Sequence, residues 1–232
     1  MLVINTRPAP DADAFSDAIR AAGATVILSP VMKIDFRDGA APVAPGEALV
    51  FTSANGVRAF ARANADRGLS VFAVGAATAE EARRAGFTDV QAAQGDVESL
   101  ADLISQTKGA TAVLHLAGTD RAGDLIAALE AQGVAARRLV LYDAVPEAEM
   151  SAAARAALTE NAADCAVGLF SPRSAALFFA QAGRAGLEGR LSAATLLAFS
   201  DAVAAAALPD RWGRVKIARA RTLGAMAALI RA

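Results

Sequence analysis

Five short segments carry the residue types that could do chemistry: Thr52-Ser53-Ala54-Asn55-Gly56, Gly75-Ala76-Ala77-Thr78, Gly118-Thr119-Asp120, Ser171-Pro172-Arg173-Ser174 and Ser200-Asp201. Each follows a short apolar run and leads into a stretch of helical period. At such a junction the first N–H groups of the helix lack partners and the helix dipole is positive, so carboxylates and phosphates are the natural ligands. Small side chains let a ligand reach the backbone, and Arg7, Arg58, Arg121 and Arg173 stand at or near the junctions as possible partners for an anion. The competing reading of any single junction is that Ser, Thr, Asn or Asp caps its own helix. Repetition along the chain favours a shared role, with several junctions facing one cleft.

Tyr142 is the only Tyr, on the run Leu139 to Val145. A phenol projecting into an interlobe cleft would orient or protonate a leaving hydroxyl. The alternative is an amphipathic strand position with its hydroxyl in water. Other catalytic signatures are excluded by counting. His115, the only His, sits inside the apolar run Ala112 to Leu116 and reads as a structural strand residue. It offers no paired-His metal motif, and no G-x-S-x-G elbow accompanies it. Cys165 opens a buried-looking strand and reads as inert core. Gly118 to Gly123 has neither a P-loop ending nor G-x-G-x-x-G spacing, so nucleotide cofactors are unsupported.

The junctions need strands and helices to hold them. Strands are expected over Leu2 to Ile4, Val26 to Leu28, Leu49 to Thr52, Val71 to Val74 and near Val90. Helices are expected from Pro10 to Ala22, from Asn55 onward, from Thr78 to Ala85 and from Val97 to Gln106. Strands alternating with helices imply parallel sheets covered on both faces. The series then restarts. Val3-Ile4 corresponds to Val113-Leu114, and Ile19 to Gly23 corresponds to Leu129 to Gly133. Phe51-Thr52-Ser53-Ala54-Asn55 corresponds to Phe170-Ser171-Pro172-Arg173-Ser174. The run Phe72-Ala73-Val74-Gly75 corresponds to Leu197-Ala198-Phe199-Ser200, and Leu103-Ile104 to Leu229-Ile230. A duplication of this length makes a two-lobed protein and not a solenoid. Val26 to Phe36 and Leu139 to Val145 are long for single strands and could run from one lobe into the other, and Asp38 to Gly46 reads as a linker.

With 232 residues, 23 basic and 24 acidic side chains and a net charge of −1, the chain has no general attraction for nucleic acid or an anionic membrane. No apolar run is long enough to span a bilayer, the start at Met1 lacks signal-peptide features, and a single Cys fits a reducing cytoplasm. The expectation is a cytoplasmic protein acting on a small molecule.

Taken together, Phe51-Thr52-Ser53-Ala54-Asn55-Gly56-Val57, Ala73-Val74-Gly75-Ala76-Ala77-Thr78-Ala79, Leu141-Tyr142-Asp143-Ala144-Val145 and Phe170-Ser171-Pro172 resemble the uroporphyrinogen-III synthase family, and Thr6-Arg7-Pro8 fits it. The resemblance implies a lyase of tetrapyrrole synthesis that needs no metal or organic cofactor. It would convert linear hydroxymethylbilane to cyclic uroporphyrinogen III, losing water and inverting ring D. It implies Tyr142 as the group assisting loss of the hydroxyl. It further implies Thr52, Ser53, Gly75, Ala76, Thr78, Ser171 and Pro172 as cleft residues, which Arg7, Asn55, Gly118, Thr119, Arg173 and Ser200 join as binding candidates. Where the family often has Gly-Pro-Thr-Thr this chain has Ser200-Asp201-Ala202-Val203, so hydroxyls are missing there.

The implied architecture is two similar flavodoxin-like lobes, each a parallel five-stranded sheet flanked by helices, joined by two crossing strands. One lobe takes residues 1–36 and 146–232, and residues 37–145 form the inserted lobe. The expected state is a monomer, with transient contact to the preceding pathway enzyme. The rival readings are a two-lobed anion-binding protein without catalysis and a different cytoplasmic enzyme acting on sugar phosphates.

Overall fold

The computed structural model describes residues 1–120 and 123–231. In chain order the elements begin β1 (Leu2–Asn5), α1 (Asp11–Ala21), β2 (Thr25–Leu28), β3 (Met32–Phe36), β4 (Glu47–Phe51), α2 (Ala54–Ala63), β5 (Val71–Ala73) and α3 (Ala76–Arg84). They continue β6 (Val90–Ala92), α4 (Val97–Gln106), β7 (Ala112–Gly118), α5 (Leu125–Ala131), β8 (Ala135–Pro146) and α6 (Ala152–Asn161). The last are β9 (Cys165–Leu169), α7 (Pro172–Arg184), β10 (Thr195–Ala198), α8 (Asp201–Ala206), β11 (Arg214–Ile217) and α9 (Leu223–Arg231). The chain divides into two compact units, Met1–Lys33 with Val145–Ala232, and Ile34–Ala144.

In the first unit the strand order is β11-β10-β9-β1-β2, every neighbour parallel. Side chains alternate across this sheet. Val3, Ala166 and Leu197 meet Phe15 and Ile19 of α1 and Met226 of α9 on one face. Ile4, Val167 and Leu196 meet Leu158 of α6, Phe178 of α7 and Val203 of α8 on the other. Burying each such Phe or Leu contributes on the order of 2 kcal/mol.

The second unit orders its strands β3-β8-β7-β4-β5-β6. The pairs from β8 through β6 are parallel. Leu49, Phe51 and Leu114 pack on Val57 and Phe60 of α2 and Ala82 of α3, and Val50 and Val113 pack on Leu100 and Ile104 of α4 and Leu125 and Leu129 of α5. The sheet has six strands and not the expected five.

The extra strand arises where an expected single strand breaks in two. The expected long strand Val26 to Phe36 is broken, because after β2 the chain continues to bond the end of β1 through Ser29 N to Asn5 O and Val31 N to Thr6 O. Pro30 lies between them with no N–H to donate. β3 then starts afresh in the other sheet, whereas the second long run is continuous within β8.

The internal repeat reads directly onto these sheets. Replacing β2, β1, β9, β10 and β11 by their repeat counterparts β8, β7, β4, β5 and β6 turns one spatial order into the other. Each unit therefore combines the first strand-helix-strand of one repeat with the remainder of the other. Matching detail extends to the helix ends. Gly23 after α1 and Gly133 after α5 have φ of +83° and +78°, the left-handed conformation only Gly adopts freely. Ala24 N bonds Ile19 O at 3.2 Å, and Val134 N bonds Leu129 O at 3.0 Å.

Candidate functional site

Within the first unit, the ends of β1, β9 and β10 are neighbours and bring together Arg7, Ser171 to Arg173 and Ser200. In a parallel open sheet this is the edge where ligands bind. Much of its donor capacity is used internally. Ser171 Oγ accepts from Ser174 N at 3.0 Å, and Ser174 Oγ accepts from Ser171 N at 2.9 Å and from Phe170 N at 3.2 Å. This capping box, with Pro172 in the first turn, explains why α7 starts here. Arg173 is half-buried in the same turn.

Arg7 pairs with Asp11 at 3.2 Å and stacks 4.6 Å from the Phe170 ring centre, with a buried Nε that has no partner. Thr6 Oγ1 donates to Gly168 O at 2.5 Å, tying β1 to β9. Ser200 caps α8 through a long 3.4 Å bond from Val203 N, while Asp201 is exposed in the first turn, where the helix dipole favours an acid.

Within the second unit the ends of β8, β7, β4 and β5 are neighbours and bring together Tyr142, Gly118, Thr119, Thr52, Ser53, Asn55, Gly75, Ala76 and Thr78. Ser53 caps α2, its Oγ accepting from Asn55 N at 3.1 Å. The buried Asn55 amide oxygen accepts from Arg58, whose guanidinium also forms a two-pronged pair with Glu81 at 2.9 and 3.1 Å. Arg58 thus fastens α2 to α3. No side chain caps α3, where Gly75 is the N-cap, so the first-turn N–H groups of Ala76 and Ala77 are presented without a side-chain acceptor. Thr78, one turn in, is buried.

Gly118 does not open a helix as expected. α5 begins at Leu125 behind its own cap, Asp124, which accepts from Ala127 N at 3.2 Å. Gly118 instead makes room for Tyr142. The β7–β8 register slips between Ala117 and Gly118, setting Gly118 opposite Tyr142, and a Cβ on Gly118 would lie 2.7 Å from the tyrosine ring. Thr119 N bonds Tyr142 O at 3.2 Å, and Arg138 donates to the carbonyls of Gly118, Thr119 and Asp120, so the loop and the ring are held as one piece.

Beside Tyr142, Arg37 grips Asp143 through Nε at 2.8 Å and its terminal nitrogen at 2.9 Å. This pair, with a bond from the Thr119 side chain, holds the Asp143 carboxyl below the ordinary carboxylate range. Arg121 lies outside the described residues.

Two expectations about lone residues come out differently. Cys165 is a buried strand residue whose thiol donates to Asn161 O at 3.3 Å, and burial pushes its pKa up. His115 is buried too, yet its Nε2 stands 3.0 Å from Thr52 Oγ1. No sequence spacing signalled that contact, which spans 63 positions. Among the described residues no group of three or more His, Cys, Asp or Glu is placed to hold a metal ion, and no helix is long and apolar enough to cross a membrane.

The architecture and the residues gathered at its strand ends define a doubled, flavodoxin-like α/β protein with a candidate site of backbone and hydroxyl donors. A sequence model described as uroporphyrinogen-III synthase HemD matches residues 13–228, and the chain belongs to that enzyme family. A solved uroporphyrinogen-III synthetase from Helicobacter pylori aligns over 98% of this chain and 96% of its own, with a TM-score of 0.66 and 16% identity. A mutant uroporphyrinogen III synthase from the extremely thermophilic bacterium Thermus thermophilus aligns over 97% and 94%, with a TM-score of 0.55 and 19% identity. At such identities these two show the shared fold alone. No curated protein matches the sequence.

Proposed function

We propose that this protein is a uroporphyrinogen-III synthase, a cofactor-independent lyase that cyclises hydroxymethylbilane with loss of water and inversion of ring D. The family match over residues 13–228 is the observation that carries the reading. Spontaneous closure gives the symmetric type I isomer, so the task is to hold ring D in the less convenient orientation. A substrate fringed with acetate and propionate groups suits strand ends supplied with N–H and hydroxyl donors.

In this reading the phenol of Tyr142 gives its proton to the departing hydroxyl of the ring A end, which leaves as water, and the phenolate takes up the ring A pyrrole N–H proton as the azafulvene forms. The resulting azafulvene is attacked by the substituted carbon of ring D, and the spiro intermediate rearranges before the macrocycle closes. Ala76 and its neighbours at the open start of α3, with Thr52, Ser53, Asn55, Gly75, Thr78 and Thr119, take substrate carboxylates in the second unit. Arg7, Arg173 and the helix starts shaped by Ser171, Pro172 and Ser200 do so in the first. In this reading the lobes are residues 1–36 with 146–232 and residues 37–145. The protein works in the cytoplasm as a monomer that receives substrate from the preceding enzyme of the pathway.

The test is product analysis. Freshly generated hydroxymethylbilane is supplied, the products are oxidised and the isomers separated. Type III product above the no-enzyme background supports the reading, and type I alone at the background rate sinks it.

A further inference from the structure

Thr52 and His115 stand on neighbouring strands, one just past the end of β4 and the other midway along β7. Their 3.0 Å contact is the only hydrogen bond of the Thr52 side chain among the described residues. His115 is 8% exposed, and its Nδ1 is buried without any partner. Both residues line a cavity of about 340 Å³ that also touches Asp120, Asp124, Leu125 and Arg138.

A neutral imidazole carries one proton, and the surroundings decide which nitrogen holds it. With the proton on Nδ1 the fold would bury an unpaired N–H donor, the arrangement native proteins avoid most strongly. With the proton on Nε2 that N–H is paired to Thr52, and only a lone pair on Nδ1 goes unmet. Burial first, and the nearby charge of Arg138 second, lower the His115 pKa to about 4, so the ring stays neutral near pH 7. An Nε2–H donor occupies one lone pair of Thr52 Oγ1. The hydroxyl's own proton then has no protein acceptor among the described residues and is left for whatever enters the cavity.

We propose that His115 is a positioning residue: held as its Nε2–H tautomer, it fixes the Thr52 hydroxyl as a donor to a carboxylate of the ligand in this cavity. The identity of that ligand, an acetate or propionate of hydroxymethylbilane, rests on the synthase reading. The tautomer does not.

Because His115 is the only histidine, ¹⁵N-histidine labelling of the intact protein gives the spectrum of a single ring. The long-range ¹H–¹⁵N pattern at pH 7 is expected to be that of Nε2–H. An Nδ1–H pattern, or a ring protonated at pH 7, overturns the proposal. The second arm is kinetic and uses His115→Phe, which removes the donor, beside His115→Gln, which keeps an N–H in reach of Thr52. The Phe variant should raise KM for hydroxymethylbilane on the order of tenfold with kcat nearly unchanged, and the Gln variant should recover most of the loss. Wild-type KM in the Phe variant overturns the proposal. If wild-type protein forms no type III product the synthase reading fails, and the NMR spectrum still decides the tautomer.

Discussion

Where β1 meets β9 in one unit and β7 meets β4 in the other, the internal repeat sets Asn5 against His115 and Ser171 against Thr52. Asn5 is fully buried, and its amide donates to Ala12 O at 2.8 Å and Ser16 Oγ at 3.0 Å while accepting from Arg7 N at 3.1 Å. Ser171 is enclosed in a capping box. Their counterparts answer chiefly to each other, with His115 Nδ1 left over beside a cavity. The helices behind these corners differ likewise. α7 carries a full capping box, whereas its counterpart α2 has only the bond from Asn55 N to Ser53 Oγ, and α3 starts from an uncapped Gly75 where its counterpart α8 has Ser200. Equal backbone geometry can thus be closed by its own side chains or left open for a ligand, and the second unit is the more open of the two.

The largest expected contrast between the corners is in pH dependence. His115 has a folded pKa of about 4, below its ordinary value of about 6.5, so the unfolded chain binds a proton there more readily. Its contribution is complete above about pH 6.5 and is lost as pH falls toward 4, amounting to about 3 kcal/mol. Asn5 does not titrate. Replacing His115 by Asn, the residue of the other unit, should flatten the urea-measured stability difference between pH 7 and pH 4.5. An unchanged slope would mean that other groups govern it.

Next in size is the closeness of helix to strand. A Cβ on Gly56 of α2 would lie 2.6 Å from Leu116 O, whereas the matching position on α7 already holds the buried Ala175. Gly56→Ala should cost about 2 kcal/mol in denaturant unfolding. If it is tolerated, the two helix seats are equally roomy and the contrast weakens.

The smallest effect concerns caps. Ser171→Ala removes one half of a capping box and should cost about 1 kcal/mol. Ser200→Ala, losing a bond of 3.4 Å, should cost less, and thermal melts of both proteins check the ranking.

Much of the fold could be read from the chain because its signals are local. Periodicity marked the helices α1 to α4, and the 110-residue offset that pairs Val3 with Val113 also pairs the terminating Gly23 and Gly133. The break between β2 and β3 escaped that reading because it is made by bonds from Ser29 and Val31 to the distant Asn5 and Thr6. At the site, the residue types at the strand ends were legible, since the same small and hydroxyl residues recur before several helices along the chain. Their local state was not. Whether a hydroxyl caps its own helix, as Ser171 does, or waits on a neighbour, as Thr52 does, depends on which strand lies beside it. His115 read as a structural strand residue, and it does lie buried within β7, but its contact with Thr52 could not be read for the same reason, although the offset that aligns it with the polar, buried Asn5 was a usable hint. The seat of Tyr142 on Gly118 depends on a register slip that no spacing announces.

The measurement that bears most directly on the open corner of the second unit is turnover by Tyr142→Phe. The variant keeps the ring that fills the space beside Gly118 and removes only the hydroxyl. The prediction is a kcat for uroporphyrinogen III formation lower by at least about tenfold, as expected when a proton donor is lost, at an unchanged melting temperature. Wild-type kcat in this variant would contradict the account and move the chemistry away from Tyr142.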